Sequence, residues 1–181
     1  KSVWFPSGPI RRVRLFGLGE QSKWNYRKEH IIPRYLVSYA KTERVSEFAT
    51  ALLPFSDSPK DAARQFTINA LMANFEFNLY KEKPKEGWPE IKTVYLAIDI
   101  KDKRQVEEGI KEGVIIGEEV NRCRALANTP GSDMTPRALA EEAKKVAQDS
   151  KIRVKMLDEP EIKKLGMGGV LGVARGSNEK P

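Results

Sequence analysis

With 40% apolar and 31% charged side chains, the 181-residue chain has ordinary globular composition, enough for one domain or for one domain and part of another. Nothing approaches the ~18 continuous apolar residues of a membrane-spanning helix, and the single cysteine, Cys123, excludes an internal disulfide and fits a reducing compartment. The net charge of +7 invites an acidic partner, but 32 basic residues are interleaved with 25 acidic ones, as in KEKPKEGWPE and DEPEIKKL, which is the pattern of solvated faces.

The start, KSVWFPSGPIRR, has neither an initiator Met nor a signal-peptide apolar core, so the chain is expected to be processed or cut from a longer one. VWFP, Val3 to Pro6, is a short apolar run closed by the turn residues PSGP. RRVR, Arg11 to Arg14, is the tight basic cluster, and it leads into VRLFGLG, which reads as a buried strand ending in a glycine turn. Residues ~24–40 carry Trp24, Ile31, Ile32, Tyr35, Leu36 and Tyr39, a helix pattern that Pro33 disturbs. VSEFATALLP reads as a strand through Val45, Phe48 and Leu52, stopping at Pro54. A clear helix comes next: Ser58 caps it, Pro59 suits its first turn, and Ala62, Phe66, Ala70, Ala73 and Phe77 recur at helical spacing. KEKPKEGWPE is an exposed loop and IKTVYLAID a strand.

Residues ~102–127 read as a second long helix, with Val106, Ile110, Val114, Ile115, Val120 and Leu126 supplying apolar surface. Gly109, Gly113 and Gly117 recur every four residues and so line one side. Each costs ~1 kcal/mol against alanine in a helix. The pattern points to another backbone approaching there, against the simpler reading that packing merely tolerates them. LANTPGSDMTP then breaks the periodicity. Pro130 and Pro136 hold Thr129 and Thr135 away from helix, Gly131 permits a turn, and Thr135 with Pro136 starts the next helix, RALAEEAKKVAQDS. IRVKML alternates as a strand, DEPEIKKLG is a short capped helix closed by Gly166, and VLGVARG reads as a further strand. This order argues for an α/β fold, with a domain junction at the connector.

Few residues speak of chemistry. His30 is the only histidine, and no second cysteine accompanies Cys123, so zinc-ligand spacing is missing. Cys123 lies within the long helix, where a buried, inert thiol is the default, and nothing marks it as a nucleophile. GLGEQS after a strand could cradle a phosphate, but a complete glycine-rich fingerprint and a P-loop are missing, which favours a turn. Asp99, Asp102, Glu107 and Glu108 gather at a strand–helix junction, where stabilisation of a helix N-terminus explains them. No catalytic, cofactor-binding or metal-ligating residue is assigned to the chain.

The connector and the segment after it resemble the leucyl (cytosol) aminopeptidase family. Asn128, Thr129, Pro130, Thr135 and Pro136 match its Asn-Thr-Pro…Thr-Pro segment, and Leu165, Gly166, Met167, Gly168, Gly176 and Ser177 match a later Leu-Gly-Met-Gly…Gly-Ser segment. Gly131 stands where the family often has another proline. VRLFGLG and ALMANFEFNLYK resemble the end of the family's amino-terminal domain more weakly. The resemblance implies a small α/β amino-terminal domain joined by a long helix to the first helix–strand units of a larger α/β catalytic domain, which divides the chain into 1–101, a partial amino-terminal α/β domain, 102–127, the linking helix, and 128–181, the truncated beginning of the catalytic domain. It implies a cytoplasmic, hexameric enzyme that hydrolyses amino-terminal residues from peptides, using two divalent metal ions (zinc or manganese) to bind the substrate amine and activate a bridging water. The family's metal-bearing Lys-Gly…Phe-Asp…Gly-Gly and Asn-Thr-Asp-Ala-Glu-Gly-Arg segments do not occur in this sequence. The chain alone is therefore expected to hold no metal and to be inactive. A nucleic-acid-binding module or an assembly module derived from the family are the alternatives, with nucleic-acid binding expected to be weak and non-specific.

Overall fold

The computed structural model describes residues 2–4, 8, 12–23, 25–53, 58–150 and 152–181. The chain forms two compact units, Lys1–Phe75 with Lys83–Gly117, and Glu76–Glu82 with Glu118–Pro181.

In the first unit, β1 (Ser2–Trp4) pairs antiparallel with β2 (Arg12–Arg14). Helix α1 (Tyr26–Thr42) leads to β3 (Glu47–Ala51), and helix α2 (Pro59–Asn74) to β4 (Thr93–Ala97). β3 and β4 pair in parallel, with Glu47 opposite Thr93 and Ala51 opposite Ala97. A parallel pair needs a long crossover, and α2 supplies it. The core forms where α1, α2 and this sheet meet. Val37, Ala40 and Ile91 are buried there, with Phe48, Ala70, Ala73 and Val94 packed against them. Pro33 sits inside α1, buried, without ending it.

The start of α2 is built as the sequence indicates. The Asp61 backbone N–H donates to Ser58 Oγ at 3.1 Å, and Pro59 occupies the first turn, where no N–H is needed. Its end is fixed differently. Asn74 Nδ2 donates to the Ile91 carbonyl at 2.9 Å while the Ile91 N–H donates to Asn74 Oδ1 at 3.0 Å. One side-chain amide thus satisfies both backbone groups of a buried residue just before β4, groups that would otherwise be costly to bury. The buried Lys41 adds a hydrogen bond from Nζ to the Asn74 carbonyl at 3.2 Å.

Helix α3 (Lys103–Asn128) begins in this unit. Gly109, Gly113 and Gly117 are buried on it. A β-carbon on Gly109 would stand 2.1 Å from the Lys60 carbonyl oxygen, and one on Gly113 would stand 2.8 Å from that of Arg64. On Gly117 it would meet Leu71 Cδ1 at 2.8 Å. The glycines therefore let α3 lie directly on the backbone of α2, as their spacing predicts.

The second unit holds the rest of α3, the connector, and helices α4 (Pro136–Ser150), α5 (Glu159–Lys164) and α6 (Gly168–Ala174). Helix α3 ends with Thr129 Oγ1 donating to the Ala125 carbonyl at 2.9 Å. The connector turns as the Asp133 and Met134 N–H groups donate to the Pro130 carbonyl at 2.9 and 2.8 Å. The Ala138 N–H then donates to Thr135 Oγ1 at 3.2 Å, capping α4. Asp158 and Glu161 form a reciprocal capping box at the start of α5, and Gly166 closes it with a left-handed φ of 66°.

Three strand expectations are corrected. VRLFGLG, expected as a buried strand, contributes only Val13 and Arg14 to β2, with Arg14 opposite Ser2; Leu15 and Phe16 beyond it are exposed, and the Phe16 ring packs edge-on to Tyr39 of α1 with centroids 5.5 Å apart. IRVKML, residues 152–157, joins neither of the two sheets formed by the described residues and is not a strand. VLGVARG is mostly helix α6, a short apolar run whose period could not separate helix from strand. The expected first helix–strand units of the second domain are thus helical among the described residues. Trp24, Phe5, Pro6 and Pro54, used in the sequence reading, lie outside the described residues.

Candidate functional site

The residues weighed as chemical candidates occupy separate local roles. Asp99 caps a short helical turn, accepting from the Lys101 N–H at 3.2 Å and pairing with Lys101 Nζ at 3.3 Å. That backbone hydrogen bond, helped by the Lys101 ammonium, holds its carboxyl below the ordinary value. Glu107 pairs with Lys103 at 3.8 Å, and Glu108 with Arg104 at 3.2 Å. These are neighbours one turn apart on an exposed helix face. Cys123, expected to be buried, is instead exposed on α3, and His30 lies half-buried on α1. Within GLGEQS, Gly19 takes a φ of 79°, so the segment is a glycine turn. Among the described residues there is no group of three or more His, Cys, Asp or Glu side chains able to hold a metal ion. The residues present therefore do not fit the implied two-metal centre, and no metal-assisted step runs through them.

The structure shows two charged or polar arrangements that the sequence reading missed. Beside the glycine contact, Lys60 Nζ pairs with Glu112 at 2.6 Å and reaches Glu108 at 3.9 Å, while Arg64 pairs with Glu112 at 3.5 Å and also with Asp61. Its hydrogen bond to Lys60 lowers the Glu112 carboxyl pKa, and the same bond raises that of Lys60. Lys60 and Arg64 lie one turn apart on α2, as Glu108 and Glu112 do on α3, next to Gly109 and Gly113. That matched spacing was the available signal. In the second unit, the Tyr80 hydroxyl donates to a carboxylate oxygen of Asp133 in the connector, with Phe77 beside the Tyr80 ring. This hydrogen bond raises the Tyr80 phenol pKa.

The feature most suggestive of a task is apolar surface in the second unit. Ile152, Val154 and Met156 alternate in sequence with Arg153 and Lys155, and all five side chains are exposed. Leu165, Met167, Val170 and Val173 are exposed as well, Val173 to 86%. Ile162 is the unit's one buried hydrophobic core residue among those described. Seven large apolar side chains are exposed between 152 and 173, and others are exposed elsewhere, as at Ile100, Ile115 and Leu139.

Comparison with known proteins gives these features a context. Residues 1–84 match the cytosol aminopeptidase family, N-terminal domain, and residues 121–181 match the cytosol aminopeptidase family, catalytic domain. The probable cytosol aminopeptidase of Bordetella avium (strain 197N) is 36% identical over 177 residues, covering 93% of this chain and 35% of the relative. That of Bacillus subtilis (strain 168) is 30% identical over 178 residues, covering 97% of this chain and 35% of the relative. A mutant of tomato leucine aminopeptidase superposes with a TM-score of 0.80 at 27% identity, over 100% of this chain and 36% of that one. The bottromycin maturation enzyme BotP shares the fold, with a TM-score of 0.78 at 19% identity, over 99% of this chain and 37% of that one. The chain thus spans about a third of the length of the curated relatives it matches.

Proposed function

Because the chain belongs to the cytosol aminopeptidase family, its fold being α/β with a long helix, we propose that it serves as the scaffold of a peptidase that removes amino-terminal residues from peptides. Residues 1–101 act as an amino-terminal domain, 102–127 as the strut, and 128–181 as the first layer of a catalytic domain. The exposed apolar side chains between Ile152 and Val173 carry this reading. They are the surface on which the remainder of a catalytic domain packs, with 152–157 contributing a strand to its sheet.

On this reading the chain's own residues position and support. The glycine contact of α2 with α3 sets the direction of the strut. Thr135 and the Pro130 turn fix the start of α4. In a complete enzyme of this kind, residues other than these would hold two divalent ions, zinc or manganese, which would supply Lewis-acid chemistry. Peptide as substrate, a hexameric assembly and a cytoplasmic setting belong to the same proposal and are supported by family membership. Among the described residues no helix is long and apolar enough to cross a membrane.

The test is hydrolysis of leucine amide with added Zn²⁺ or Mn²⁺. The chain joined to a complete catalytic domain is expected to turn over the substrate, and the purified 181-residue chain is not. Metal-dependent turnover by the 181-residue chain, or its lack in the joined protein despite correct folding, would overturn the assignment.

A further inference from the structure

We draw no further inference here: the strongest candidate, the exposed apolar surface of the second unit along residues 152–157 and α6, belongs to the role already proposed, and nothing in the structure shows a different partner covering it.

Discussion

Replacing Gly109 by alanine tests the packing on which the strut depends. The added β-carbon would stand 2.1 Å from the Lys60 carbonyl oxygen and 3.1 Å from Ala63 Cβ. Neither atom can rotate away, because one is backbone and the other is the first atom of its side chain. Helix α3 must therefore move off α2 or distort. Overpacking a tight contact costs ~1–3 kcal/mol, and so close an approach to backbone belongs at the upper end. Alanine returns ~1 kcal/mol through its better helix propensity. The net loss is about 2 kcal/mol, or roughly 4–8 °C in melting midpoint for a chain of this size. Gly113→Ala should cost less, and Gly117→Ala least, because its closest neighbour is the flexible end of Leu71. Gly172→Ala in α6 is the control: nothing lies within 4 Å of its would-be β-carbon. It should be neutral or stabilise by up to ~1 kcal/mol. Thermal unfolding followed by circular dichroism measures all four. A Gly109→Ala chain as stable as the parent, or more so, would refute the close backbone contact.

The charged and polar pairs give two further outcomes. The folded-state pKa of Glu112 is lowered, first by its hydrogen bond to Lys60. Its contribution to stability is therefore complete above the ordinary value of 4.5 and is lost as pH falls through the lowered one. Glu112→Gln should flatten the acid limb of the stability–pH curve; an acid limb identical to the parent's would show the ion pair to be inert. Tyr80→Phe removes the hydrogen bond to Asp133, so amide exchange across 130–135 should quicken while that of α2 stays unchanged. Unchanged exchange in the connector would mean that Tyr80 does not hold it.

The helices were legible because their signals are local. Ser58 with Pro59, Thr135 with Pro136, and Asp158 with Gly166 mark boundaries within a few residues of the structure they control. The glycines of α3 were legible for the same reason, since a four-residue repeat places them on one side whatever they touch. Strands were harder. A strand exists only through a neighbour distant in sequence, and residues 152–157 alternate correctly without a described neighbour to pair with. Residues 170–174 are too short and too uniformly apolar for their period to choose between helix and strand. The Asn74–Ile91 clamp and the Tyr80–Asp133 bond join residues 17 and 53 positions apart, and no periodicity announces such pairs. For the site, the sequence offered motifs of turns and caps rather than ligands. The exposed apolar surface becomes visible only once folding shows which hydrophobic residues the chain leaves uncovered.

Amide hydrogen exchange decides whether the second unit is the first layer of a larger catalytic domain. Exchange should be compared between the 181-residue chain and the same chain joined to a complete catalytic domain. Partnering 152–157 in a sheet and covering Val170 and Val173 would place amides now held locally, or not at all, under the global stability of the domain. Protection across 152–176 should therefore rise strongly in the joined protein, while that of α2 remains nearly as it is. High and equal protection of 152–176 in both would mean that the chain already completes its own fold, and would contradict the account.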